Sequence, residues 1–163
     1  NTLRWFYICA PGLILAQAIG RWGNYFNQEV YGQPSDLPWA IYINPKNRVA
    51  GYESFEHFHP LFAYESFLNL IGCIMLLILG RKYRDRLLDG EICLIYICYY
   101  STIRFGLEWL RIGNWKLAGF PTACWISLAA IVVSIAIIIY RRRRLHKRKM
   151  SETQPNHPSE GTL

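Results

Sequence analysis

The sequence lacks the cysteine and histidine spacing of a metal site, and its five cysteines show no disulfide framework. None of them forms a CxxC motif or a Cys/His cluster of metal-binding spacing. All five lie within or at the edges of apolar segments, at Cys9, Cys73, Cys93, Cys98 and Cys124. We interpret them as small buried apolar residues and predict no metal.

Acidic residues are also scarce, with 11 Asp and Glu against 18 Lys and Arg, which gives a net charge of +7. Such an excess can indicate nucleic-acid binding, but the cations are concentrated in residues 81–86 and 141–149, each directly after an apolar run. Lys and Arg that flank membrane spans stay on the cytoplasmic side and attract anionic lipid headgroups. The charge pattern therefore predicts a membrane protein that contacts lipids and no nucleic acid.

Apolar residues fall in blocks long enough to cross a bilayer, which takes about 20 helical residues. We predict an all-α, multi-pass helical bundle with four transmembrane helices, at residues 5–19, 61–79, 92–110 and 122–140. The first helix has an alternative interpretation as a secretory signal peptide, because Arg4 precedes it and Ala16-Gln-Ala18 resembles a cleavage site. The bulky residues at its start and the polar segment after it favour a retained helix.

The segments between the apolar blocks suggest an orientation. Residues 20–59 are rich in turn residues and in aromatic and aliphatic side chains, so we predict a long structured loop. With the basic segments on the cytoplasmic side, this loop faces outward. We expect a membrane domain at residues 1–140 and a disordered basic cytoplasmic tail at residues 141–163.

The third predicted span contains a stripe of polar side chains at Tyr100, Arg104, Glu108 and Arg111. Their spacing of four, four and three places them on one helix face. Ionised groups within a bilayer are costly unless they are paired or line an aqueous cavity, so they are candidates for function. The alternative is that Arg104 and Glu108 pair only to hold helices together.

Two other segments contain candidate residues. At the start of the second span, Glu65 needs a partner such as an arginine, and His59 and Tyr64 precede it as candidate supporting residues. Residues 20–32 combine glycines that permit tight turns with polar groups suited to phosphate, namely Gly20, Gly23, Gly32, Arg21, Asn24, Asn27 and Glu29. This segment is either a phosphate cradle or a loop that satisfies its own hydrogen bonds.

Three blocks resemble one family in order and spacing. Residues 20–32 read Gly-Arg-x-Gly-Asn-aromatic-x-Asn-x-Glu-x-x-Gly, residues 59–65 read His-Pro-x-x-x-Tyr-Glu, and residues 100–111 read Tyr-x-x-x-Arg-Phe-x-x-Glu-x-x-Arg. Together they are similar to the signature blocks of the prolipoprotein diacylglyceryl transferases. The resemblance covers residues 5–140, and the family's amino-terminal half has no counterpart in these 163 residues. We therefore expect the chain, which starts at Asn1 without a methionine, to be the carboxyl-terminal part of such an enzyme.

The resemblance implies an enzyme of the bacterial plasma membrane that transfers the diacylglyceryl group of phosphatidylglycerol to the lipobox cysteine of a prolipoprotein. The product is a thioether, glycerol phosphate is released, and no metal or organic cofactor is implied. The alternatives to a transferase are a transporter or channel with an Arg/Glu-lined path, and a non-catalytic membrane scaffold.

The same resemblance suggests roles for the candidate residues. Arg21 and Arg104 are expected to bind the phosphate, with Arg111 also in the lipid-binding set. Glu29 and Glu108 would hold arginines or glycerol hydroxyls. Asn24 and Asn27 would shape the loop and bind the headgroup, and Gly32 would serve backbone shape. The general base stays open between Tyr100, His59 and a residue upstream of Asn1.

Overall fold

The computed structural model describes residues 2–117 and 119–153. Within them, the chain forms four α-helices: α1 (Thr2–Asn27), α2 (Leu61–Lys82), α3 (Glu91–Glu108) and α4 (Thr122–Thr153). Strands β1 (Ile41–Tyr42) and β2 (His57–Phe58) pair antiparallel between α1 and α2. A second antiparallel pair, β3 (Lys116–Leu117) and β4 (Phe120–Pro121), connects α3 to α4. The predicted helical architecture is confirmed.

Two of the described helices are long and apolar enough to cross a membrane, namely Leu61–Lys82 and Thr122–Arg148. Helix α3 spans only 18 residues and includes three charged side chains, Glu91, Arg104 and Glu108. These charges offset its apolar residues, so composition alone does not mark α3 as a span. The structure supports a helical membrane protein, and the four-span arrangement stays a prediction.

The first three helices pack around a shared apolar core made of Ala10, Ile14, Cys73, Leu76 and Ile92. Gly72 on α2 allows the close approach, because a side chain there would collide with Ile14 and the Tyr99 ring. Ser66 Oγ donates to the carbonyl of Ala18 at 2.7 Å, which ties α2 to α1. Since residues 5–19 supply part of this core, the structure supports the retained-helix interpretation over the signal peptide. Of the five cysteines that we expected to be buried, Cys73 and Cys124 are buried, whereas Cys93 and Cys98 are partly exposed and Cys9 is exposed.

Helix α1 is longer than predicted, because it continues through residues 20–27, which the sequence assigned to a loop. The helix ends in a Schellman arrangement, in which Glu29 N–H donates to Asn24 O and Gln28 N–H donates to Tyr25 O. Gln28 takes the left-handed conformation (φ 51°) that usually calls for glycine. Its side-chain oxygen accepts bonds from Asn44 N and Asn47 Nδ2, which hold it in place. Gly20 and Gly23 are therefore helical, and the tight turns predicted there are wrong.

The connection from α1 to α2 is folded, as its apolar content predicted. Tyr31, Ile43 and Phe58 are buried together in a small core. The Tyr31 hydroxyl donates to Asn47 O at 2.7 Å and accepts from Val49 N–H at 2.8 Å. Burial raises the pKa of Tyr31, and the Val49 bond and the charge of Arg48 only partly offset this. The connection is thus a structured platform that rests on one end of the helices.

The opposite end of the bundle brings the basic segments together. Arg142 on α4 forms two short contacts with the buried carboxylate of Glu91, at 2.6 and 2.9 Å. Burial acts to raise the pKa of Glu91, but the hydrogen bonds from Arg142 and from the Leu88 N–H, together with the charges of Arg142 and Arg141, outweigh it, so this pKa is lowered. Helix α4 continues to Thr153, so the expected disorder is wrong for residues 141–153. Residues 154–163 of the predicted tail lie outside the described residues.

Candidate active site

Glu65 lies at the centre of a cluster of charged side chains between three helices. One carboxylate oxygen is 2.7 Å from Nη2 of Arg21 on α1, and the other is 3.2 Å from Nη1 of Arg104 on α3. The Arg21 contact is an ion pair without an aligned hydrogen bond, since that oxygen accepts none. Glu65 is 2% exposed. The sequence required an arginine partner for Glu65, and the structure supplies two, from two other helices.

The cluster continues along α3 on the face that the sequence spacing predicted. Nη2 of Arg104 donates to Glu108 at 3.1 Å, and Arg111 approaches the other Glu108 oxygen at 3.8 Å. Asn114 donates to the carbonyls of Glu108 and Arg111, which caps the carboxyl end of α3. Arg104 thus bridges two carboxylates with its two Nη atoms, a geometry that suits a planar guanidinium.

Helix α1 contributes Arg21 because it does not end before residue 27. Besides its ion pair with Glu65, Arg21 donates from Nη2 to the Tyr100 hydroxyl at 3.1 Å. Tyr100 lies one helical turn before Arg104, and its ring stacks on that of Tyr96. The structure therefore brings Arg21 to the polar face of α3, although 79 residues separate it from Tyr100.

The five charged groups of this cluster are unevenly exposed. The side chains of Glu65 and Glu108 are 3% and 5% exposed, whereas those of Arg21, Arg104 and Arg111 are 22%, 18% and 32% exposed. Three guanidinium groups face two carboxylates, which leaves one positive charge in excess. Because the carboxylates lie behind the arginines, the accessible side of the cluster is cationic and suits an anion.

The polar residues at the end of α1 do not join this cluster. Asn24 Nδ2 and Asn27 Nδ2 each donate to the same oxygen of Glu29 at 3.2 Å. In the described part of the chain Glu29 thus contacts these two asparagines, and its expected role of holding an arginine or glycerol hydroxyls stays a prediction. Within residues 20–32, Arg21 thus faces the charged cluster, while Glu29 and the two asparagines satisfy one another.

Gly32 occupies a crowded position between α2 and the end of α3. Its N–H donates to His59 O at 2.9 Å, and the next residue, Gln33, donates to Leu110 O at 2.9 Å. An added Cβ would lie 2.8 Å from His59 Cβ and 3.0 Å from Leu110 O. A glycine at position 32 thus avoids contacts that a side chain there would make with His59 and Leu110, which gives its predicted role in backbone shape a steric basis.

Replacement of Gly32 by alanine is expected to destabilise the protein by about 1–3 kcal/mol, the usual cost of an overpacked interior. The matched control is Gly23→Ala, because an added Cβ at this helical glycine meets no atom within 4 Å. Alanine is favoured over glycine in helices, so this variant should melt at or above the parent temperature. Thermal melting in detergent compares the three proteins. Equal melting of Gly32→Ala and the parent would contradict the steric argument.

His59 and Tyr64 contact each other and form a second group of polar side chains. His59 Nδ1 lies 3.1 Å from the Tyr64 hydroxyl, which also accepts a bond from Trp39 Nε1 at 2.8 Å. Neither His59 nor Tyr64 makes a hydrogen bond or ion pair with the arginines of the cluster in the described part of the chain. The sequence analysis does not place Trp39 among the candidate site residues, because its only signal is an aromatic residue in a polar loop.

This fold and site define a class of protein. It is a helical membrane protein with a cationic cluster of buried ion pairs at one end of its helices. The family model for prolipoprotein diacylglyceryl transferase matches residues 1–140. The chain belongs to this family, as its three sequence blocks indicated.

Similar proteins carry the name phosphatidylglycerol–prolipoprotein diacylglyceryl transferase. The one from Chloroflexus aggregans is 40% identical over 161 residues, covering 86% of this chain and 53% of the relative. Those from Gloeobacter violaceus and Synechococcus elongatus are 42% and 39% identical, covering 84% and 82% of this chain and 51% and 47% of the relatives. The chain thus spans about half the length of the curated relatives that it matches.

Proposed function

We propose that the protein containing this chain transfers the diacylglyceryl group of phosphatidylglycerol to the lipobox cysteine of prolipoproteins. The names of its relatives supply both substrates. The observation that supports the proposal most directly is the cluster in which Arg21, Arg104 and Arg111 are more exposed than Glu65 and Glu108. Such a cluster presents positive charge where a lipid phosphate requires it.

The reaction makes one demand that this cluster can meet. The cysteine thiolate forms a bond to the glyceryl carbon, the bond from that carbon to the phosphate oxygen breaks, and glycerol phosphate leaves with the electron pair. Negative charge therefore develops on the departing phosphate oxygen. Preorganised positive groups aimed at such an oxygen stabilise the transition state more than the ground state. Arg21 and Arg104 are our candidates for that role.

The carboxylates have a supporting role in this proposal. Glu65 contacts Arg21 and Arg104, and Glu108 contacts Arg104 and Arg111, so the two carboxylates set the spacing of three guanidinium groups. Their burial keeps them behind the arginines and away from the anionic lipid. Asn24, Asn27 and Glu29 act on the shape of the loop and on headgroup contacts. Tyr100 is our favoured proton acceptor within this chain, because its hydroxyl contacts Arg21 directly.

A lipid substrate also needs an apolar surface beside the charged one. The face of α3 next to the charged stripe lines an apolar cleft of about 180 Å³ between α3 and α4, bounded by Phe105, Trp109, Phe120, Cys124, Trp125 and Leu128. Phe105 and Trp109 directly follow Arg104 and Glu108 in the chain. We propose that part of an acyl chain occupies this cleft while the phosphate meets the arginines.

The proposed orientation in the bacterial plasma membrane puts the charged cluster toward the outer face, with all four helices crossing. The contacts of Tyr7 with Gly80 and of Arg142 with Glu91 bring the basic ends of α2 and α4 to the end opposite the cluster. Cations on that end support a cytoplasmic location for it. A cysteine placed in residues 33–50 should then react with an impermeant thiol reagent from outside, and one in residues 83–86 should not.

The test of function uses the full-length protein in vesicles that contain phosphatidylglycerol, with a lipobox peptide as acceptor. We expect a thioether-linked diacylglyceryl peptide and an equal amount of glycerol phosphate by mass spectrometry. Arg21→Ala should lower the rate about 10²-fold or more, the usual cost of one electrostatic donor. The matched control, Arg84→Ala, removes an exposed arginine at the opposite end and should keep the parent rate.

The outcomes separate the proposed function from its alternatives. No transfer by the parent protein would refute the transferase and leave the transporter or the scaffold, which a solute-flux assay on the same vesicles tells apart. Transfer that is unchanged in Arg21→Ala would keep the function and refute this arginine as a phosphate ligand.

A further inference from the structure

The charge of this chain is concentrated at the end of the bundle that lies opposite the candidate active site. Residues 81–91 contain four Lys and Arg against three Asp and Glu, and residues 141–149 add seven Lys and Arg. These two segments therefore contribute a net +8, whereas the whole chain has +7. The rest of the protein is nearly neutral, so almost the whole net charge lies at this end, away from the active-site cluster.

The structure fixes the basic extension of α4 against the turn between α2 and α3. The carboxylate of Glu91 is 1% exposed, accepts both contacts from Arg142 and also accepts the Leu88 N–H at 3.0 Å. Arg141 donates to the carbonyl of Asp89 at 2.8 Å. A helix that only carried solvated charges would not need a buried bidentate partner.

Two shallow grooves lie beside this contact, and both include Leu88 and Leu145 in their lining. The first, of about 380 Å³, is also lined by Arg141, Arg144 and Arg148, with Asp89 as its acidic residue. The second, of about 290 Å³, is lined by Arg86, Arg142 and His146. Each groove thus combines several cationic or imidazole side chains with the apolar side chains of Leu88 and Leu145.

The position of these grooves selects a membrane lipid as their occupant. The apolar part of α4, residues 122–140, is about 28 Å long at 1.5 Å per residue, close to the 30 Å thickness of a hydrocarbon core. The first residues after this apolar part, 141–144, then lie at the level of the headgroups, where phosphates are concentrated, and residues 145–148 follow directly beyond them. Arginine matches phosphate oxygens in geometry, and the leucines suit the glycerol and upper acyl region.

We propose that these two grooves bind the phosphate groups of anionic phospholipids in the leaflet opposite the candidate active site, and that the Glu91–Arg142 pair positions them. This surface is separate from the site proposed for transfer. It rests on α4 crossing the membrane and does not depend on the proposed reaction.

The test measures binding of phosphatidylserine with a spin-labelled acyl chain to the full-length protein in phosphatidylcholine–detergent micelles. Phosphatidylserine is anionic but is not the proposed substrate. Replacing Arg144 and Arg148 together by glutamine should weaken binding about five-fold for each arginine removed. The control, Lys46→Gln with Lys116→Gln, removes the same charge from exposed positions at the other end and should change affinity less than two-fold.

A second variant separates built grooves from a diffuse cloud of charge. Glu91→Gln makes the protein more positive by one charge but releases Arg142, so we expect binding about five-fold weaker than in the parent. Equal or tighter binding in this variant would overturn the proposal. If Glu91→Gln does not fold, the variant that replaces the exposed Arg144 and Arg148 by glutamine decides the question. Unchanged lipid binding in that variant would also overturn the proposal.

Inorganic phosphate distinguishes the source of the ligand. Displacement of the lipid by millimolar phosphate would indicate a site for free phosphate and overturn the lipid assignment, whereas no displacement supports it. The transfer assay runs separately on the same variants, which we expect to keep the parent rate. A failed transfer assay in the parent would therefore refute the reaction and leave the lipid-binding result intact.

Discussion

Replacement of Arg104 by lysine is expected to lower the rate of diacylglyceryl transfer about 10²-fold or more while the positive charge at this position stays. Arg104 reaches Glu65 with one Nη atom and Glu108 with the other. A lysine ammonium is a compact point charge and cannot hold both carboxylates in one plane while presenting N–H groups to a phosphate. Misplacing one electrostatic donor typically costs 10²–10³ in rate.

The measurement is single-turnover transfer of diacylglycerol to a lipobox peptide by full-length protein, with phosphatidylglycerol at a saturating level. The matched control is Arg84→Lys, which makes the same chemical change at an exposed position at the opposite end. Its rate should equal that of the parent. If Arg104→Lys also transferred at the parent rate, charge alone would suffice, and the bridging geometry of Arg104 would have no catalytic role.

The local half of this cluster could be predicted from the sequence, but its long-range half could not. Spacing of four residues places Arg104 beside Glu108 on any α-helix, and the structure has this pair at 3.1 Å. An intramembrane carboxylate at residue 65 required a cationic partner. That both Arg21 and Arg104 meet it depends on how three helices pack, and no spacing within one helix contains that information. Packing at Gly72 and the Ser66–Ala18 bond help to set the register.

Errors occurred where the backbone departs from the usual sequence signals. Helix ends are commonly marked by glycine in the left-handed conformation, so Gly20 and Gly23 suggested a loop and Gln28 did not suggest an end. The structure reverses this, because hydrogen bonds from Asn44 and Asn47 hold the Gln28 side chain. The basic residues after 140 resembled a solvated tail, yet Arg142 reaches a buried carboxylate 51 residues earlier. In both cases a distant partner decides the local conformation.

Replacement of Glu65 by glutamine is expected to lower both the stability and the activity of the protein. The change leaves Arg21 and Arg104 facing one another without the carboxylate between them. Breaking a fully buried ion pair costs about 3–5 kcal/mol, and the partial exposure of both arginines reduces this to about 2 kcal/mol. Transfer should fall about 10²-fold, because the guanidinium groups lose the anchor that sets their spacing. Apparent melting temperature in detergent and single-turnover transfer report the two effects.

Removing the charge of Arg21 together with that of Glu65 distinguishes a catalytic cluster from a purely structural one. In the double variant with Glu65→Gln and Arg21→Gln, the repulsion with Arg104 is gone, so part of the lost melting temperature should return. Activity should not return, since the arginine that we assign to the phosphate is absent. Glu56→Gln is the control for the chemical change, because Glu56 is exposed, and it should match the parent in both measurements. If the double variant regained activity together with stability, Glu65 and Arg21 would serve only to pack helices, and Arg104 alone would have to stabilise the leaving phosphate.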